Sequence, residues 1–181
     1  VNIQQTFPLN IFRAYDIRGK LSNLTPNIIC SIAHALAQQY IHAEQTHVVI
    51  GYDARLTSPG YANIIQKVLE QQGLNVTNIG CCSSPMMYYI ARDFGGNGIM
   101  VTVSHNPKSD NGIKWILKGE PPSPDIIQYV GQCAQISLPN IPQFEHVDAV
   151  LHHVVPQYCL QYQHALLSDI QLTRPLKIVL D

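Results

Sequence analysis

Apolar positions recur along this chain in two periods. Ile28, Ile29, Ile32, Leu36 and Tyr40 share one helical stripe, Tyr61, Ile64, Ile65, Val68 and Leu69 a second, and Ile126, Ile127, Val130 and Cys133 a later one. Each stripe opens on a hydroxyl side chain directly before proline: Thr25-Pro26, Ser58-Pro59 and Ser123-Pro124; a fourth pair, Ser84-Pro85, opens another helix. A Ser or Thr N-cap accepts a bond from an orphan N–H, and proline at the first helical position gives up a donor that had no partner. The first helix runs to about residue 40 and the second stops at Gly73. The third spans about residues 85–94 and ends on Gly95-Gly96, and the fourth covers about residues 124–135.

Between the helices lie short β-rich runs at residues 47–52, 75–79, 98–103 and 113–118. Strand and helix alternate through the first three, the pattern of parallel βαβ units. The fourth run follows the third across the loop SHNPKSDNG with no helix between, so it is expected to return antiparallel. The pattern therefore predicts a three-layer α/β/α sandwich with a mixed four-stranded sheet. After Ser137 the stretch LPNIPQFEHVD looks like a linker or an extended exit strand; a fifth helix is expected at about 156–167 and a strand at 176–181. Residues 1–150 then form a first domain, and residues 151–181 a linker and the beginning of a second, truncated α/β domain. That last helix and strand either cover the first domain or continue in a longer protein.

Composition narrows the class. The chain has 181 residues, enough for one sizeable core and part of a second. Hydrophobic residues make up 46%, charged residues 13%, and the formal net charge is -1, which argues against nucleic-acid and membrane partners. Five cysteines, odd in number and without a CxxC pair, suggest a reduced, cytoplasmic protein, and vicinal Cys81 and Cys82 read as packing residues. The eight histidines are scattered without HExxH or Cys/His ligand spacing, so only His105 draws attention.

Three loops should leave the carboxyl ends of parallel strands, where open α/β sheets gather ligand groups: GYDARLTSPG at 51–60, GCCSSP at 80–85, and SHNPKSDNG at 104–112. In the first, Asp53 and Arg55 precede a helix N-terminus, which suits anions, or form a local ion pair that fixes the loop. In the third, Asn106-Pro107 restricts the backbone and Asn111-Gly112 is read as the reversal into the next strand. Such a loop is either an ordinary turn or a holder for the Ser104 hydroxyl. Lys114 follows, with strand alternation placing Lys114, Ile116 and Lys118 on one face and Ile113, Trp115 and Leu117 on the other. Near the N-terminus FRAYDIRG sets Arg13, Tyr15, Asp16 and Arg18 in a row: an edge strand with an Asp16–Arg18 pair, or a guanidinium aimed at phosphate.

FRAYDIRG (12–19), GYDARLTS (51–58), TVSHNP (102–107) and NGIK (111–114), in that order, resemble the first domain of the α-D-phosphohexomutase superfamily, and closely its bacterial phosphomannomutase/phosphoglucomutase branch. PQYCLQYQHALLSDI followed by PLKIVLD is similar to the family's passage into its second domain. The resemblance implies an isomerase that moves phosphate between the 1- and 6-positions of mannose or glucose, using a phosphoserine, Mg²⁺ and a hexose 1,6-bisphosphate that is both activator and intermediate. Ser104 would carry the phosphoryl group and His105 would organise the site. Arg18 and Lys114 would assist proton transfer and offset charge, and Tyr15 would join Arg18, Ser104 and Lys114 in binding hexose phosphate. The phosphate on Ser104 would be one metal ligand, the others lying beyond residue 181 in C-terminal domains of the same polypeptide, so the chain alone should have little or no activity. Val103 stands where the family often has a small residue. The alternatives are a phosphoglucosamine mutase, or a non-catalytic phosphoserine-bearing domain that binds sugar phosphate.

Overall fold

The computed structural model describes residues 7–103, 105–138 and 153–179. The expected linker falls almost wholly in residues 139–152, and Ser104, Leu180 and Asp181 likewise lie outside the described residues. Five strands form one mixed sheet: β1 (Ile17–Lys20), β2 (His47–Tyr52), β3 (Asn75–Cys81), β4 (Gly98–Val101) and β5 (Asp110–Ile116), in the order β1-β5-β4-β2-β3. β2 runs parallel to both β3 and β4, whereas β5 is antiparallel to β4 and to β1. The expected antiparallel return is present. The sheet has one strand more than the four expected, because β1 is a four-residue edge strand, IRGK, too short and too charged to show a hydrophobic period.

Helices α1 (Pro26–His42), α2 (Ser58–Gln71), α3 (Ser84–Ala91) and α4 (Pro124–Ser137) lie on the two faces. Val48, Ile50, Ile99, Val101, Ile113 and Trp115 point into a core shared with α1, α2 and α4. The alternate positions Val49, Met100 and Ile116 face Met87 and Ile90 of α3. Tyr40, fully buried on α1, brings its hydroxyl to the Gly98 and Ile116 carbonyls at 3.2 and 3.0 Å and so ties the helix to β4 and β5. Lys114 shares the Ile116 face as expected, but Lys118 lies past the strand in a left-handed conformation with φ 54°.

Thr25 and Ser123 cap their helices as expected, each accepting from an N–H three residues on at 3.4 Å. Ser84 and Ser58 do not: each is already the first helical residue. Ser83 caps α3 in place of Ser84, accepting from Met86 N at 3.4 Å. At α2 the cap residue is Thr57 and makes no side-chain cap bond.

The chain returns at residues 153–155, where His153 O accepts from Cys81 N at 2.6 Å. α5 (Pro156–Asp169) then lies beside α3, with the Tyr89 and Tyr162 rings 5.5 Å apart and Gln161 donating to Asp93 at 2.8 Å. The described part of the expected final strand, residues 176–179, forms none: it pairs with no strand among the described residues, and Ile178 and Val179 are 71% and 91% exposed. All five cysteines are free thiols, and burial, helped by neighbouring Cys81, pushes the Cys82 thiol up to about 12, which suits a packing role. Among the described residues no helix is long and apolar enough to cross a membrane.

Asn111-Gly112 is not the reversal that its residue types suggest. Both residues lie inside β5, and Gly112 is there for close approach: a Cβ at this position would meet Ile17 O of β1 and a methyl of Val103. Gly112→Ala is therefore expected to push β1 off β5 and to destabilise the chain by about 1–3 kcal/mol. Urea unfolding gives the magnitude, and amide shifts confined to residues 17–20 give the location.

His34 Nε2 on α1 is buried with no hydrogen-bond partner among the described residues, and burial lowers its pKa from 6.5. The unfolded chain binds that proton more readily, so stability is full above pH 6.5 and falls as pH drops below it. Between about pH 7.5 and about pH 5.5 the urea midpoint of the wild type should fall further than that of His34→Leu. Equal falls would remove His34 as the cause.

Candidate active site

The loop from β4 to β5 is held from three sides. Within it, Asn106 N donates to Val103 O at 2.8 Å, Asp110 N to Pro107 O at 3.0 Å, and the Asn106 side chain to Asp110 Oδ2 at 3.0 Å. From β1, Leu21 N donates to Ser109 O at 2.9 Å. From the loop after β2, Arg55 donates to the carbonyls of Val103, Asn106, Pro107 and Asp110 at 2.7–3.1 Å. The Asp53–Arg55 ion pair expected of this loop is present at 3.4 Å. The helix N-terminus beside it serves a further network: Asn111 donates to Thr57 and Ser58, while Ser58 and Thr102 donate to the two Asp53 oxygens at 2.6 and 2.7 Å. These bonds explain the missing α2 cap, since both hydroxyls are engaged elsewhere.

β1 carries the cations to this loop. The pairing Ile17↔Ile113 puts residue 16 opposite residue 114, so Asp16 and Lys114 form a cross-strand pair. Lys114 Nζ donates to Asp16 Oδ2 at 2.8 Å, and Arg18 Nε lies 3.3 Å from Asp16 Oδ1. The Asp16 side chain is only 6% exposed, so one buried carboxylate holds both cations. Arg18 Nη1 reaches His105 Nε2 at 3.5 Å, a contact in which the guanidinium can only donate.

Of the residues singled out in the sequence, Arg18 and Lys114 are brought together on Asp16, and His105 joins them through Arg18. Tyr15 stands apart from them, 80% exposed. Ser104, between Val103 and His105 in the chain, is outside the described residues. The loop at 80–85, expected to converge with the other two, makes no hydrogen bond or ion pair to residues 102–110 among the described residues. Beside Arg18 lies an open cleft of about 720 Å³ lined by Arg13, Arg18 and Lys20 with one carboxylate, Asp110, a size and net charge that suit a small anionic ligand. Sequence reasoning paired Asp16 with Arg18 but missed its bond to Lys114, 98 positions away. Among the described residues no group of three or more His, Cys, Asp or Glu side chains is placed to hold a metal, so they do not by themselves fit the Mg²⁺ that the resemblance implies.

The same arrangement of sequence is found in known proteins. A family model described as phosphoglucomutase/phosphomannomutase, alpha/beta/alpha domain I, matches residues 9–136. A phosphoglucomutase of Neisseria meningitidis is 32% identical over 174 residues, which is 95% of this chain and 37% of the relative. A phosphomannomutase/phosphoglucomutase of Pseudomonas aeruginosa is 31% identical over 180 residues, 97% of this chain and 37% of that one. Among solved structures, a phosphoglucomutase/phosphomannomutase family protein of Burkholderia thailandensis superposes with a TM-score of 0.76 at 28% identity, over 94% of this chain and 38% of its own. The chain thus spans about 37% of the length of the curated relatives it matches. With a family model matching residues 9–136, the chain belongs to the phosphoglucomutase/phosphomannomutase family, as its alpha/beta/alpha domain I.

Proposed function

We propose that this chain is the phosphoryl-carrying first part of a phosphohexomutase that interconverts the 1- and 6-phosphates of glucose or mannose. Residues 1–150 form its first domain, residues 151–181 begin the second, and further domains of the same polypeptide complete the enzyme. Ser104 carries the phosphoryl group. A bound hexose 1-phosphate presents its 6-hydroxyl; the bond from Ser104 Oγ to phosphorus breaks as phosphorus bonds to O6, the hydroxyl gives up its proton and Oγ gains one. The 1,6-bisphosphate so formed returns its 1-phosphoryl group to Oγ by the reverse exchange, leaving hexose 6-phosphate and a rephosphorylated serine.

Phosphoryl transfer asks a protein mainly to position the reactants and to offset charge on the equatorial oxygens. Lys114 and Arg18 supply that charge, and Lys114, with three rotatable donors, carries the proton to and from Oγ. His105 orients Arg18, Arg13 lines the cleft that takes the sugar phosphate, and the exposed Tyr15 ring is free to close on the bound sugar. The observation that carries this reading is the convergence of Arg18, His105 and Lys114 beside the loop that contains Ser104.

The test is conversion of glucose 1-phosphate to the 6-phosphate by the full-length polypeptide, primed with a trace of the 1,6-bisphosphate and supplied with Mg²⁺. Turnover is expected, with Ser104→Ala lowering it by roughly a thousandfold or more and Lys114→Met by about 10²–10⁴-fold. Equal turnover by Ser104→Ala would defeat the assignment.

A further inference from the structure

Arg55 has no part in the chemistry just described, yet its side chain, 15% exposed, is enclosed by the loop that contains residue 104. A guanidinium has five N–H donors in a rigid plane. Nη1 donates to Pro107 O at 2.7 Å and Asp110 O at 3.1 Å, Nη2 to Asn106 O at 2.7 Å and Val103 O at 3.1 Å. Nε lies 3.4 Å from Asp53 Oδ2 as an ion pair, so the four terminal N–H donors each meet a carbonyl while the charge is matched by a carboxylate. Two of the four carbonyls, those of Val103 and Pro107, also accept bonds from within the loop. These four carbonyls span residues 103–110, and one of them belongs to the residue peptide-bonded to Ser104.

Arg55 is itself held at both ends. Its backbone N–H donates to Asp53 Oδ1 at 3.0 Å, and Asp53 in turn accepts from Ser58 and Thr102. Lysine in this place would have three donors on one atom and no planar fork, so it could not meet four carbonyls that surround the guanidinium.

We infer that Arg55 is a positioning residue: by gripping the carbonyls on either side of residue 104 it sets the point from which that residue hands over and takes back a phosphoryl group. The inference rests on the reading of Ser104 given under Proposed function. A misplacement of about 1 Å at a reacting group can lower a rate by about 10²-fold without any change in ligand binding.

Two measurements test it, on wild type, Arg55→Lys and Arg55→Ala. In the 181-residue chain, hydrogen exchange of the amides of 105, 106 and 108–110 is compared with that of α1 and β2. In the full-length polypeptide, the single-turnover rate constant for phosphoryl transfer from glucose 1,6-bisphosphate to Ser104 is followed by intact mass. A rate constant, unlike an amplitude, does not depend on the fraction of molecules folded. In Arg55→Lys the loop amides should exchange about tenfold faster with the core unchanged. The transfer constant should fall about a hundredfold while KM for glucose 1-phosphate moves less than about threefold. Unchanged loop exchange overturns the inference, as does a loosened loop that transfers phosphate at the wild-type rate. A wild type that takes no phosphoryl group on Ser104 defeats the underlying reading, and the inference with it. If Arg55→Ala does not fold, Arg55→Lys decides the outcome.

Discussion

A loop that leaves a sheet edge turns carbonyls away from the ladder, and a buried carbonyl needs a donor. In this chain one guanidinium supplies it four times over, and the remaining geometry of the site follows from that grip. Arg55 reaches the loop because Asp53 fixes it, and Asp53 is fixed by hydroxyls from α2 and from the end of β4. The loops after β2 and β4 therefore behave as one body. β1 joins them through the Leu21 bond to Ser109 and through the close approach that Gly112 allows, which brings Arg18 to His105. Each contact is of ordinary strength, about 0.5–1.5 kcal/mol net for a neutral hydrogen bond and about 1.5–3 for a charged one. Their effect on placement comes from sharing members, so that Val103, Asn106, Pro107 and Asp110 each take part in more than one bond.

What the sequence shows of this arrangement is governed by the distance over which each signal acts. The helical stripes, the caps at Thr25 and Ser123, the parallel core strands and the antiparallel return are all written within a few residues, and all are present. The errors fall where two local signals compete. Thr57-Ser58 and Ser83-Ser84 offer adjacent hydroxyls, and only tertiary contacts decide which one ends up outside the helix. Asn-Gly is a strong turn signal, but at 111–112 the asparagine is turned toward Thr57 and Ser58 and the glycine makes room for a neighbouring strand. The site was legible as a set of ordered motifs rather than as contacts. Arg55 meets its loop partners across 48 to 55 positions, and no spacing rule reaches that far. The Asp16–Lys114 pair could have been read only once β1 was known to lie beside β5, and β1 was the strand without a periodic pattern.

A buried carboxylate at the centre of a site proposed to hold phosphate looks at first like the wrong charge. A phosphoserine carries about -1.5 to -2 at neutral pH, and Asp16 repels it. In the proposed cycle, however, the serine is without phosphate whenever the bisphosphate is bound, and Arg18 and Lys114 would then face each other with less to separate. A carboxylate that accepts from Lys114 and is ion-paired with Arg18 holds both in the same place whether or not the phosphate is present. The repulsion lowers the affinity of the serine site for its phosphoryl group, which a group that must be handed over and taken back in every turnover can tolerate, because a site that bound the phosphoserine too tightly would slow its own transfer.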